Sequence, residues 1–259
     1  LVMLLSTASL THADPLFMGL GDFTAYGVSA DGNTVVGTRG SGNIGSEAIR
    51  WSASGGIQDL GFLPGYTSST ASSVSADGKT VVGYSGYPLY STTGSWAGSV
   101  WEAYRWTTNT ANGASGSMQG LGFLSTGYQS SYASAVSADG KTVVGANYPP
   151  REAMRWTSNG GMQGLGYLPG ASSGSESEAY AVSADGQVVV GYSNSLNGAQ
   201  AFRWTPIDGM KGLGSLTGVV GSAYASSFAS GVSSDGKTVV GYSDSLNGKN
   251  DYTFEAFRW

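Results

Sequence analysis

The chain has 259 residues, a net charge of −5, and only 11% charged side chains. It leaves no basic patch for a nucleic-acid backbone, and its acidic balance is read as a solubility feature. Absent cysteine excludes disulfides and thiol chemistry. Glycine is abundant, at 42 positions, yet 40% of residues are hydrophobic and 12% aromatic, enough apolar surface for a packed core.

The chain opens on an apolar run, Leu1 to Leu10, followed by Thr11-His12-Ala13. Such a run is expected to be the end of a secretory signal occupying residues 1–13, with cleavage between Ala13 and Asp14. It is too short for a membrane span. From residue 14 onward one pattern recurs five times. Its tryptophans are Trp51, Trp106, Trp156, Trp204 and Trp259, and its turn aspartates are Asp31, Asp77, Asp139, Asp185 and Asp235. A period near 50 made of short strand-like runs predicts an all-β, five-bladed β-propeller over 14–259, one four-stranded blade per repeat.

Each repeat reads as four strands. The first ends in VS and enters an Asp-Gly pair, which predicts a tight hairpin turn. The second is TVVG-like and the third EAxRW-like. A loop then leads to the fourth, GMxGLG or GIQDLG. Alternation along the third strand places Ile49 and Trp51 on one face and Arg50 on the other. The tryptophans are expected to wedge between blades. The repeated Arg50, Arg105, Arg155, Arg203 and Arg258 need partners if buried, and the Asp-Gly turns or their carbonyls are the expected ones. The fifth repeat reaches only its third strand at Trp259, while Leu16–Gly21 (LFMGLG) resembles an orphan fourth strand. Together they predict a ring closed by the N-terminal strand, which removes two sheet edges; the competing account is truncation, with further sequence, such as a C-terminal domain, beyond Trp259.

The copy beginning QAFRW at Gln200 and running through TPIDGMKGLGSLTG resembles the HAF-type extracellular repeat. That repeat has a His-Ala-Phe strand leading to Gly-Met-x-x-Leu-Gly-x-Leu-x-Gly. The resemblance covers all five copies and implies a secreted or surface-exposed bacterial protein, sometimes an autotransporter passenger. It implies location and fold more than activity. The leading histidine is replaced by Glu47, Glu102, Glu152, Gln200 and Glu255, so no role of that histidine carries over.

The sequence varies most in the second-to-third and fourth-to-first connections, which share one rim. The longest is the segment from Ser85 to Trp101. That rim collects the aromatics outside the repeat positions, and Tyr87, Tyr90, Trp96, Trp101, Tyr148 and Tyr252 are the candidate ligand contacts. Aromatic faces amid Ser, Asn and Gly suit a glycan or a cell-surface protein; the competing account folds these rings down as small satellite cores. His12 is the only histidine, which excludes Ser-His-Asp and Cys-His catalysis and histidine-ligated metals from the mature chain, and no metal or cofactor is expected. A carboxylate pair stays open as a polysaccharide hydrolase or lyase. The innermost strands read as acid-free, however, and Glu176 and Glu178 read as solvated loop residues. The expected function is binding through the variable rim, with a hydrolase or a structural spacer as the alternatives.

Overall fold

The computed structural model describes residues 18–40, 45–90, 92–109, 115–126, 129–172, 174–196, 198–216, 226–246 and 252–259, without the side chains of Trp96, Leu246 and Tyr252. The expected signal at 1–13 lies outside the described residues. Nineteen strands and no helix occur among the described residues, so none holds a helix long and apolar enough to cross a membrane.

The strands form five antiparallel meanders in chain order. The first sheet holds β1 (Thr24–Val28), β2 (Thr34–Arg39), β3 (Glu47–Ser52) and β4 (Gly56–Gly61). The second holds β5 (Ser68–Val74), β6 (Thr80–Tyr90), β7 (Trp96–Thr107) and β8 (Ser117–Gly120). The third runs through β9 (Ser130–Val136), β10 (Thr142–Tyr148), β11 (Glu152–Thr157) and β12 (Gly161–Gly164). The fourth comprises β13 (Ser177–Val182), β14 (Val189–Ser195), β15 (Gly198–Thr205) and β16 (Gly209–Gly212). The fifth has three strands, β17 (Ser227–Val232), β18 (Val239–Leu246) and β19 (Tyr252–Arg258). The longest variable segment, expected as a loop, is an extension of the β6–β7 hairpin, paired from Thr80↔Thr107 out to Tyr90↔Trp96.

Consecutive sheets pack face to face, so both faces of an internal sheet are buried. Between the first two, Val36, Ala48 and Leu60 meet Val81, Tyr104 and Trp106. The same positions recur between the second and third, the third and fourth, and the fourth and fifth sheets. A repeated serine fastens each joint. Ser131 Oγ accepts the Ala103 N–H at 2.9 Å and donates to the Gly122 carbonyl at 2.8 Å. Ser69, Ser177 and Ser227 make the same two bonds. Each of these hydroxyls satisfies buried backbone groups that would otherwise cost about 1–3 kcal/mol.

The VSADG turns lie on the inner side, linked by a chain of backbone bonds. Ala30 donates to Ala76, Ala76 to Ala138, Ala138 to Ala184 and Ala184 to Ser234, each at 3.1 Å. The turn is longer than the two-residue reversal the Asp-Gly pair suggests. In the first sheet Ala30–Asn33 forms a four-residue loop closed by the Ser29 N–H to Thr34 carbonyl bond, with Gly32 at φ 73°. The aspartate holds the loop through its side chain: Asp31 accepts from Ser29 Oγ at 2.6 Å and from the Asn33 N–H at 3.0 Å. Four of the five arginines reach the next sheet's turn as expected, whereas Arg258 donates to Thr238 Oγ1 at 3.3 Å. Arg50, Arg105, Arg155 and Arg203 each donate to a turn carbonyl, Gly78, Gly140, Gly186 and Gly236, at 3.0–3.4 Å. Their partners are the carbonyls, not the carboxylates.

The Ser29 hydroxyl and the Asn33 N–H pull the Asp31 carboxyl down to about 2 from its ordinary 3.8. A depressed folded-state pKa adds stability above the unfolded value and loses it as pH falls through the folded one. Thermal melts should therefore drop between pH 4 and pH 2, and Asp31→Asn should reduce that drop.

The structure does not show the expected ring closure. Met18–Gly21 lies in no strand, and a Cβ at Gly21 would strike Ile57 of its own first sheet. Among the described residues, Tyr26 and Val28 of the first sheet and Val240, Tyr242 and Phe254 of the fifth are exposed.

Candidate functional site at the inner mouth

The aromatic candidates divide between separate places. Tyr87 sits edge-on to Tyr66 at 5.3 Å, and Tyr66 donates to Glu102 at 2.7 Å. Trp101 is on the other face of the hairpin, covering Gly86 and meeting Tyr84 edge-on at 5.3 Å. Tyr90 and Tyr148 are exposed, at 59% and 50%, on different sheets. The backbones of Trp96 and Tyr252 are in β7 and β19, and their side chains lie outside the described residues, as do Tyr128 and Tyr224. The six residues therefore form no single surface among those described. Trp101 alone leads to a cavity, through Tyr84.

That cavity arises from a bulge present in every sheet. The first strand slips register between Ala133 and Ala135, and in the other sheets at the matching position. The slip brings the carbonyl of the preceding residue against the glycine of VVG. A Cβ added at Gly145 would overlap the Tyr132 carbonyl, and Gly37, Gly83, Gly191 and Gly241 stand in the same relation to Thr24, Thr70, Glu178 and Phe228. The glycine thus permits the bulge, and a bulge re-aims the neighbouring side chain.

The residue before each bulge pairs across the sheet with the residue after that glycine. The five pairs are Thr24 with Thr38, Thr70 with Tyr84, Tyr132 with Ala146, Glu178 with Tyr192, and Phe228 with Tyr242. On a scaffold whose buried core positions repeat, these pairs all differ. Tyr26, Thr70, Ser72, Tyr84, Tyr132, Ser134 and Glu178 line a cavity of about 470 Å³.

Two aromatic series flank it. Trp101, Tyr84 and Tyr132 run in succession, with Tyr84 and Tyr132 5.2 Å apart. Tyr180, Tyr192, Phe228, Tyr242 and Phe254 form the second, with neighbouring rings 5.1–5.8 Å apart. Between them stands an ion pair, Arg151 to Glu178 at 3.3 Å, with Arg151 also 3.4 Å from the Tyr192 hydroxyl. Burial raises the Glu178 carboxyl above its ordinary value against the pull of Arg151, and burial raises the Tyr132 and Tyr180 hydroxyls too.

Glu178 corrects the sequence reading. It is on β13, an innermost strand, and not in a solvated loop. The signal that locates it is Ser-x-Ala, read two residues earlier than AYAVS. Its copies are Ser69-Thr70-Ala71, Ser131-Tyr132-Ala133, Ser177-Glu178-Ala179 and Ser227-Phe228-Ala229, with the clasp serine first and the cavity residue second.

No family model matches the chain, and no curated protein matches it. Among solved structures, a TolB from Agrobacterium tumefaciens is 14% identical over 91% of this chain and 80% of its own, with a TM-score of 0.50. A structure of two prolyl endopeptidases is 15% identical over 86% of this chain and 31% of theirs, at 0.52. A puromycin hydrolase is 13% identical over 92% and 37%, at 0.51. The fold is a β-propeller. At these identities the likeness extends to the fold alone. The chain spans 54% of TolB from Acinetobacter baumannii, and about a third of the peptidases. Its five sheets are five blades, and the cavity is at the inner mouth of the propeller.

Proposed function

We propose that this propeller binds a glycan at its inner mouth, as a secreted or cell-surface bacterial protein. The observation that carries the reading is the row of unlike pairs on a uniform scaffold, opening on a cavity of about 470 Å³. Sugar rings offer C–H groups to aromatic faces, whose quadrupole is negative above the ring. Tyr84 and Tyr132 supply such faces, while Thr70, Ser72, Ser134 and Glu178 supply hydroxyl and carboxylate partners. A concave, largely apolar site with a few placed polar groups is the usual form of a small-ligand pocket. The surface location is supported by the apolar opening run and the HAF-type repeat. Glu178 is the one carboxylate among the described lining residues, so binding is favoured over a carboxylate-pair hydrolase.

A glycan array tests this. The wild type is expected to bind a defined oligosaccharide set, and Tyr132→Ala to lose it at least tenfold, about 1.4 kcal/mol. A folded protein that binds no glycan but captures a surface protein would move the reading to protein recognition.

A further inference from the structure

We infer that the glycan held at the mouth carries a protonated amine, as an amino sugar does, and that Glu178 and the faces of Tyr84 and Tyr132 form the subsite for its ammonium group. The inference rests on the glycan reading and narrows it to one class of sugar. Glu178 is the one charged residue on the five innermost strands, β1, β5, β9, β13 and β17, whose other members are Ser, Thr, Ala, Gly, Val, Tyr and Phe. A neutral sugar is met by hydroxyls and ring faces, and the wall has both without Glu178. A carboxylate with a side chain only 21% exposed carries a desolvation cost, which an incoming cation offsets.

The surroundings of Glu178 are anionic. Arg151 donates to it at 3.3 Å, but of the two only the carboxylate lines the cavity. The charge of Arg151 is shared with a second acid, Glu176, which also accepts from the Tyr192 hydroxyl at 3.5 Å. Two carboxylates around one guanidinium leave the cluster with one negative charge in excess, and Arg151 is a positioning residue for the carboxylate. The turns on the inner side act in the same direction. Lys79, Lys141 and Lys237 lie 3.6–3.9 Å from Asp77, Asp139 and Asp235, whereas Asp31 and Asp185 have Asn33 and Gln187 at the lysine's position. The aromatic rings complete the subsite. Tyr132 holds the Glu178 position on the preceding blade, and Tyr84 lies 5.2 Å from it with the rings at 73°, so the two form a corner bordering the same cavity. Trp101 braces Tyr84 edge-on at 89°. A cation over a tyrosine face is attracted by the ring quadrupole, and the sugar C–H groups beside it rest on the same surface. Thr70, Ser72 and Ser134 remain for the sugar hydroxyls. An acidic sugar would meet Glu178 as a like charge, and an N-acetylated one would bring it an amide in place of a cation.

The test is a glycan array that presents each hexosamine oligosaccharide in free-amine and N-acetylated form, followed by titration of the strongest pair into the full chain. The free amine is expected to bind at least tenfold more tightly than its N-acetylated counterpart, a comparison that needs no variant. That preference should shrink as salt is raised and vanish in Glu178→Gln, with folding checked by its thermal melt. Tyr132→Ala should weaken both forms. Spermidine, an amine without a sugar, should bind at least tenfold more weakly than the free-amine oligosaccharide; equal binding would overturn the assignment of an amino sugar. Glycans bound without preference for the amine would overturn this inference and leave the glycan reading standing, whereas a folded protein that binds neither form of any glycan would overturn both.

Discussion

Gly145→Ala is expected to lower stability by roughly 3 kcal/mol and to weaken ligand binding with it. Added methylenes in a packed interior usually cost about 1–3 kcal/mol. The upper end is expected here because the new Cβ overlaps a backbone carbonyl, that of Tyr132, and not the end of a flexible side chain. The β9–β10 bulge must open to admit it, and the bulge is what turns Tyr132 toward the mouth. Urea unfolding should show a lower midpoint with little change in slope. A variant as stable as the wild type would mean that the glycine is not required by the bulge. Gly161→Ala is a useful contrast, since no atom meets a Cβ there and its cost would come from φ of 66° alone.

The second large effect is Trp106→Ala, which should cost about 3–5 kcal/mol. Trp106 is 2% exposed in the cluster joining the first and second blades, among Val36, Ala48, Leu60 and Tyr104. The repeat position alone does not set the effect. Trp259 has the same place in its repeat but is 52% exposed. Trp259→Ala should thus stay within about 1 kcal/mol of the wild type by the same chemical-denaturation measurement. Equal losses at the two positions would contradict the dependence of the effect on burial.

The scaffold was legible in the sequence because each blade repeats its solution to the same packing problem. The tryptophan spacing, the VVG runs and the buried arginines' need for acceptors point to face-to-face sheets and to the turn carbonyls, and the structure has both. Three features were less accessible. The β6–β7 extension has the composition of a loop, with Gly86, Pro88 and Gly94 along it, and its pairing depends on register rather than on local preference. Closure by Leu16–Gly21 is suggested by pattern, but Leu16 and Phe17 lie outside the described residues and Met18–Gly21 is in no strand. A first strand that begins at Ala179 leaves Glu178 in the preceding loop and hides the mouth. In the Ser-x-Ala pattern Glu178 matches Thr70, Tyr132 and Phe228. The exposed aromatics Tyr90 and Tyr148 drew attention as contacts, whereas partly buried Tyr84 and Tyr132 border the cavity.

The most direct test of the glycan-binding mouth is calorimetric titration of the strongest array oligosaccharide into wild type, Tyr132→Ala, Glu178→Gln and Tyr90→Ala. Binding that falls at least tenfold in the first two variants and holds in Tyr90→Ala is the result this structure predicts. Binding that survives Tyr132→Ala and Glu178→Gln but disappears with Tyr90→Ala would place the ligand on the hairpin tip and contradict the assignment of the mouth.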